Sequence, residues 1–201
     1  MTKNYFKLDK KDEIMFNQDY IVINQALLFH KSVAVIGNDL LQDKIEKNIG
    51  FNYSCEYKTY KDELPNCKAL FSEEFTTHPD LFGEYVNTGL CQLKRTKRGT
   101  DYVLFYSAEN KKIIGFNKRY ADFILENGLY IWGKDGDFCS LILTDSKKNV
   151  LGLICGCKGW QNHDTAKFFD NIFIHSRNLE TVTELKDLKN SSLPKNYVVV
   201  L

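Results

Sequence analysis

The first third of the chain alternates short apolar runs with polar breaks, a pattern typical of β-strands. The runs "YFKL", "EIMFN" and "YIVIN" are rich in β-branched and aromatic residues, and residues 17–19 form a predicted turn between the last two. Residues 38–50 predict a helix, since Asn38 can cap its start, three Leu and Ile side chains share one face, and Gly50 follows its end. Residues 51–82 show no sustained period and predict only two proline-containing turns.

The middle of the chain carries a clearer pattern. Two strand-like runs, "EYVNTGLCQLKR" and "DYVLFYSA", are joined by a predicted hairpin at "TKRGT", and "KKIIGF" is a third strand. The spacing then becomes helical over "NKRYADFILEN", where Asn117 is the predicted N-cap, Tyr120 and Ile124 share a face, and Gly128 follows the end. Three further strands, "LYIWG", "FCSLILTD" and "VLGLICGC", follow with polar turns between them.

The remaining residues, 158–201, form a predicted C-terminal extension. Within 178–189 an apolar side chain recurs every third residue, which indicates a helix with one apolar stripe (Leu179, Val182, Leu185, Leu188). The whole pattern predicts an α+β fold of mostly antiparallel sheets with a few short helices. We expect one domain over 1–157, divisible into half-domains 1–58 and 59–157, followed by this extension.

Composition narrows the class of protein. Of the 201 residues, 43% are hydrophobic and 26% charged, with a net charge of +1, which argues against a protein that binds polyanions through overall charge. The N-terminus lacks the apolar run of a signal peptide, and no stretch reaches the roughly 18 apolar residues of a membrane span. We therefore expect a cytoplasmic protein without membrane contact, with its six cysteines reduced. The abundance of Lys, Asn, Ile, Phe and Tyr indicates an AT-rich bacterial or phage genome.

The unit formed by "GFN", the helix and the three later strands resembles part of a known family. It is similar to the closing half of a domain in bacterial replicative sliding clamps, the β subunits of the replicase. The matching positions lie at the end of a strand, in the helix and in the last strand: Gly115, Phe116, Asn117, Tyr120, Leu125 and "VLGLICG" at 150–156. The segment "YKDELPNCKALFSEEF" at 60–75 resembles the opening of the last clamp domain.

This resemblance covers about residues 60–157. It implies a clamp-like fold without catalytic residues, which binds other proteins and contacts DNA. The chain departs from the family in three ways: "CG" stands where the clamp domain often ends in "MP", the chain has room for one or two of the three domains of a bacterial clamp, and the predicted helix at 118–127 carries carboxylates as well as cations. A DNA-encircling ring would instead line such helices with lysine and arginine.

Two thiols offer a candidate metal site. Cys155 and Cys157 would face the same side of a strand and could hold a metal together with Cys139 and His163. Structural zinc sites, however, usually separate paired cysteines by two to four residues, and this chain has no second pair. We therefore predict no metal and interpret the cysteines as small buried apolar side chains.

Other motifs of catalysis are missing from the sequence. Asp135, Asp137 and Asp145 could suggest a cation site, but "KDGD" lacks the EF-hand loop pattern and is typical of a solvated turn. There is no P-loop, GxGxxG or HExxH motif, and the four histidines are scattered. We predict no enzyme activity and no cofactor, with an enzyme of unrecognised geometry as an alternative.

The densest basic run is "LKRTKRG", which would lie at a hairpin tip. Its cations could contact phosphate groups, or they could simply solvate a turn. Together with the two cations at the start of the predicted helix, they are the candidate nucleic-acid-binding residues: Lys94, Arg95, Lys97, Arg98, Lys118 and Arg119.

The stretch "QALLF" at 25–29 is the candidate protein-binding peptide. It is similar to the pentapeptide with which replication proteins dock into a sliding clamp, through Gln25, Leu28 and Phe29. Such a peptide must be exposed and extended. Because the stretch directly continues the strand-like "YIVIN", the alternative is that it lies in the core.

These observations favour a non-catalytic, clamp-like binding scaffold of a phage or mobile element. We expect it to act through protein–protein contacts, with DNA as a second partner. The alternative is a phage inhibitor of a host defence or replication protein. The apolar stripe of the C-terminal extension would pack on the scaffold or form a homo-oligomer.

Overall fold

The computed structural model describes residues 5–9, 12–16, 19–37, 51–54, 59–60, 73–92, 101–134, 141–156 and 197–199. The strands in this part of the chain are β1 Tyr5–Phe6, β2 Glu13–Phe16, β3 Tyr20–Ile23, β4 Leu27–His30, β5 Val35–Ile36, β6 Phe51–Ser54, β7 Thr59–Tyr60, β8 Gly83–Gln92, β9 Tyr102–Ser107, β10 Lys112–Asn117, β11 Tyr130–Gly133, β12 Leu141–Thr144, β13 Val150–Ile154 and β14 Tyr197–Val199. The helices are α1 Glu73–Thr77 and α2 Lys118–Glu126, and a short 3-10 turn at Pro79–Leu81 follows α1.

Twelve of these strands form one sheet, in the order β10-β9-β8-β11-β12-β13-β4-β3-β2-β6-β7, with β14 alongside β8. Neighbouring strands in it run antiparallel. The long strand β8 connects its two parts, because Tyr85 pairs with Ile131 of β11 and Cys91 pairs with Val103 of β9. Strands β1 and β5 form a separate parallel pair.

Side chains alternate between two apolar faces of the large sheet, as the geometry of a strand requires. In β4, for example, Leu27 and Phe29 belong to one hydrophobic cluster, whereas Leu28 between them belongs to another. We call these the first face and the second face. Both are apolar, so each has to be covered by other parts of the molecule to be kept from water.

Helix α2 covers the first face. It begins where Asn117 caps it, because the Asn117 side-chain oxygen accepts a hydrogen bond of 3.0 Å from the backbone N–H of Arg119. It ends before Gly128, whose φ of +61° suits glycine after a helix. The buried residues of α2 include Phe123, whose ring centre lies 4.8 Å from that of Phe29 and 5.2 Å from that of Phe6. Burying one such aromatic side chain contributes about 2 kcal/mol to folding.

Helix α1 and the turn after it cover part of the second face. Phe75 of α1 is buried, and so is Phe82, which follows the 3-10 turn. They join Val22, Leu28, Ile142 and Leu153 of the sheet in one cluster. Their rings meet edge to face, with centres 5.1 Å apart.

Much of the predicted architecture is present. The mostly antiparallel α+β class is confirmed, and the helix predicted after Asn117 is α2. The predicted helices at 38–50 and 178–189 lie outside the described residues. Residues 51–82, which showed no clear pattern, contain β6, β7 and α1. No helix in the described part of the chain is long and apolar enough to cross a membrane.

Gly152 lies in β13 opposite Phe29 of β4, so a substitution at this position tests the pairing of the two strands. A Cβ atom there would overlap the carbonyl oxygen of Leu28 and lie 3.1 Å from Cα of Phe29. Because backbone atoms of a paired strand cannot move aside cheaply, Gly152→Ala should lower the free energy of unfolding by about 3 kcal/mol. Urea denaturation measures the loss.

Gly37→Ala is the matched control for this substitution. Its added Cβ would meet only the carbonyl oxygen of Phe6, at an ordinary 3.6 Å. We expect a change within about 0.5 kcal/mol there. Equal effects of the two substitutions would contradict the described strand pairing.

Candidate interaction surface

A buried ion pair fixes α2 to the N-terminal strands. Asp12 is only 4% exposed, and its carboxylate accepts two hydrogen bonds from the Arg119 guanidinium, at 2.6 and 2.7 Å. The Asn24 side-chain amide donates to Asp12 at 2.7 Å and to the Tyr120 hydroxyl at 2.9 Å, and the Asp9 backbone N–H donates to Asp12 at 2.7 Å. A bidentate ion pair of this kind has strict geometry, so it fixes the position of α2.

Asn24, which belongs to this hydrogen-bond network, lies in a tight hairpin turn. Asn24 and Gln25 have φ of 50° and 54°, which is the paired positive φ of a type I′ turn between β3 and β4. The Asn24 side-chain oxygen also accepts a hydrogen bond of 2.8 Å from the backbone N–H of Glu13. Asparagine tolerates this backbone conformation better than most residues, and its amide supplies both a donor and an acceptor.

The network changes the pKa values of both ionised partners. Burial alone would raise the pKa of Asp12, but hydrogen bonds from Arg119, Asp9 and Asn24 outweigh it and hold that pKa below the ordinary value. Burial alone would lower the pKa of Arg119, yet the Asp12 carboxylate raises it. Both groups therefore remain charged at neutral pH and stabilise one another.

Two of the predicted nucleic-acid-binding residues lie at the start of α2 and are ion-paired. Arg119 bonds Asp12, and it also lies 2.9 Å from Asp9. The Lys118 ammonium lies 2.7 Å from the Asp122 carboxylate, one turn along the helix. The basic run at 94–98 lies outside the described residues, so its binding to nucleic acid stays a prediction.

The predicted docking peptide is part of the hairpin between β3 and β4. Gln25 is exposed in the turn, but Leu28 and Phe29 are buried in β4, on opposite faces of the sheet. A docking peptide has to present both apolar side chains to a partner. In this structure they pack inside the protein, as the alternative interpretation of "QALLF" expected.

The second face carries a cluster of partly exposed apolar side chains at the strands β8, β11 and β13. Tyr130 is 40% exposed and Val86 is 42% exposed. Trp132 and Val150 are half-buried and pack against the second-face cluster. We call these four residues the Trp132 patch. The Lys148 ammonium lies above the Trp132 ring, at the border of this patch.

Strand register brings the members of the patch together. Trp132 lies opposite Glu84 and Ile131 opposite Tyr85, so the next positions along, Tyr130 and Val86, are neighbours on one face. Tyr130 also lies opposite Thr144, which in turn pairs with Val150. Residues from three separate stretches of sequence therefore form one surface.

Trp132 is held firmly in place. Its indole N–H donates a hydrogen bond of 2.9 Å to the Thr144 hydroxyl. The ring of Phe75 lies 5.8 Å from its ring on one side, and the Lys148 ammonium lies 4.5 Å from its centre. An aromatic side chain fixed in this way loses little conformational entropy when a partner binds.

A second cation supports the same end of the sheet. Lys134 is ion-paired with Glu74 of α1, and its ammonium lies 5.2 Å from the centre of the Phe82 ring. This cation therefore joins α1, the residue after the 3-10 turn and the end of β11. Phe82 packs against Phe75, and Phe75 packs against Trp132.

The candidate metal ligands are not brought together in the described residues. There, no group of three or more His, Cys, Asp or Glu side chains is placed to hold a metal ion. The Cys155 thiol lies 3.8 Å from the backbone oxygen of Gln25, whereas Cys139, Cys157 and His163 lie outside this part of the chain. Asp145 accepts hydrogen bonds from the backbone of Lys147 and Asn149, as expected for a turn.

No protein-family model, curated protein or solved structure matches this chain.

The sequence analysis does not predict the Trp132 patch as a surface, although the sequence contains one signal for it. Tyr130 and Trp132 are two residues apart in a strand and so must share a face. Their neighbours on β8 and β13 could not be found without the strand order.

The Asp12–Arg119 pair gives a stability prediction with a defined pH dependence. Asp12→Asn removes the buried carboxylate of the pair and leaves Arg119 only the exposed carboxylate of Asp9, so the free energy of unfolding at neutral pH should fall by about 3 kcal/mol. Because the folded-state pKa of Asp12 lies below its unfolded value, the contribution of Asp12 is complete above about pH 4 and is lost as the pH falls through the folded value.

Urea denaturation of both proteins, from neutral to acid pH, measures this contribution. The stability difference should shrink below about pH 4. Asp122→Asn is the control, since the Asp122 carboxylate is 41% exposed, and it should cost less than about 1 kcal/mol. A pH-independent difference between wild type and Asp12→Asn would contradict the assigned pair.

Proposed function

We propose that the chain is a non-catalytic, clamp-like binding scaffold and that the Trp132 patch is its contact surface for another protein. One observation carries the proposal. On the second face, aromatic and aliphatic side chains from three strands remain partly exposed side by side, next to a charged residue that lies above the tryptophan ring. Aromatic residues in such surroundings are the commonest energetic centres of protein interfaces.

The rigidity of the patch supports a binding role. Trp132 is fixed by Thr144 on its own face of the sheet and by Phe75, which α1 supplies. A surface that is already ordered before binding converts more of its buried area into affinity. A single exposed Tyr or Val would need no explanation, but Tyr130 and Val86 each lie one residue beyond the paired Ile131 and Tyr85, on the same face of the sheet.

Two roles expected from the sequence would use such a surface. One is recruitment by a clamp-like protein of a phage or mobile element, and the other is inhibition of a host defence or replication protein. The described residues favour protein contact over DNA contact for either role, because Lys118 and Arg119 are ion-paired with carboxylates. DNA contact through residues 94–98 is a separate proposal, to be tested by the salt dependence of DNA binding.

The test is capture of partners by a tagged chain in an extract of the cells that carry its gene. Tyr130→Ser and Val86→Ser should each reduce recovery of the bound protein strongly, since each removes apolar area from the patch. Leu125→Ser is the matched control, because Leu125 is 44% exposed but lies on α2. Thermal unfolding should show all three variants folded.

Two outcomes would contradict the proposed surface. One is that no protein is recovered in any condition. The other is that the loss of Leu125 reduces recovery as much as the loss of Tyr130.

A further inference from the structure

Charges of both signs border the Trp132 patch. Lys147 and Lys148 lie exposed in the turn between β12 and β13, and the Lys148 ammonium stands above Trp132. Glu84 lies opposite Trp132 on β8, close enough to both Glu109 and Lys148 for their charges to affect its ionisation. The patch thus has a cationic border at Lys147 and Lys148 and an anionic border at Glu84 and Glu109.

The Glu84 carboxylate of the anionic border is half-buried and lies near a second carboxylate. Burial and the neighbouring Glu109 raise the pKa of Glu84, and Lys148 offsets this only in part. A cation that approached Glu84 and Glu109 would relieve this repulsion. The Ser107 hydroxyl, at 3.2 Å, donates to one oxygen of Glu109.

This arrangement discriminates between classes of partner. A nucleic acid is a polyanion, so its phosphates would gain from Lys147 and Lys148 but would be repelled by Glu84 and Glu109. Its bases would also find the Trp132 ring contacted by Phe75 and Lys148, which leaves less of the ring for stacking. A purely apolar partner would remove water from both borders without replacing the lost hydrogen bonds.

We infer that the occupant of the Trp132 patch is a segment of another protein with an apolar centre between an acidic and a basic side chain. The acidic side chain lies against Lys147 and Lys148, the basic one against Glu84 and Glu109, and the apolar centre covers Tyr130 and Val86. This inference rests on the proposed function and adds the chemistry and the orientation of the partner. Opposite charges at the two borders fix the direction in which the segment lies.

A phage-displayed library of random linear peptides, selected on the immobilised full-length chain, tests the inference. The expected peptides carry aromatic or aliphatic residues flanked by an acid on one side and a base on the other. Lys148→Glu should weaken their binding about tenfold, because it places like charges together. Exchanging the peptide's acid for lysine should restore the affinity for Lys148→Glu. Lys147→Glu provides a second variant should Lys148→Glu fail to fold.

Lys7→Glu is the matched control. It makes the same change of charge at Lys7, which is exposed and directly follows β1. The preceding residue, Phe6, packs on the first face. It should leave peptide binding unchanged. Glu84→Lys should weaken peptide binding as Lys148→Glu does. A peptide in which the basic residue is replaced by an acidic one should then restore the affinity for Glu84→Lys.

Several results would overturn the inference. They are the absence of enriched peptides, enriched peptides whose affinity is indifferent to reversal at Lys148 and Glu84, and tighter binding of a single-stranded oligonucleotide than of any peptide. Self-association of the chain that Lys148→Glu abolishes would identify a second copy as the occupant instead. If the cellular partner depends on Tyr130 but on neither border charge, the proposed function stands and the inferred partner chemistry falls.

Discussion

The structure depends on one constraint, which is that its large antiparallel sheet is apolar on both faces. Side chains in β3, β4 and β12 alternate strictly between two hydrophobic clusters, so neither face can be left in water without a large loss of stability. Helix α2 meets this need on the first face. On the second face the short helix α1 and Phe82 cover only part of the surface, and the Trp132 patch lies beside them.

The two faces use charge differently. On the first face, Asp12 and Arg119 neutralise one another next to the core and position α2 against the N-terminal strands. Removing Arg119 would leave the buried Asp12 carboxylate without a cation, and removing Asp12 would leave Arg119 only the exposed Asp9 carboxylate. On the second face, Lys148 and Glu84 border an apolar patch. This contrast explains why the second face, and not the α2 cations, is the better candidate for binding.

Local elements could be predicted from the sequence where the signals were local. Asn117 and Gly128 mark the two ends of α2, and short runs of apolar, β-branched and aromatic residues mark β3, β11 and β12. The sequence predicts Arg119 as a nucleic-acid contact, because its charge and its position in the helix can be read locally. Its true partner, Asp12, is 107 positions away, and no local pattern indicates such a contact. Similarly, "QALLF" matched a docking motif, while its place in the middle of the sheet depended on pairing with β3 and β13.

The most direct test of the proposed contact surface is site-specific photo-crosslinking in the cells that carry the gene. A photoreactive phenylalanine derivative in place of Tyr130 would lie on the Trp132 patch, and the same derivative in place of Leu125 would lie on α2. If the patch binds another protein, irradiation should give a discrete adduct from position 130 and none from position 125. Adducts from position 125 alone, or none from either position in cells that contain the folded chain, would contradict the assignment of the second face as the binding surface.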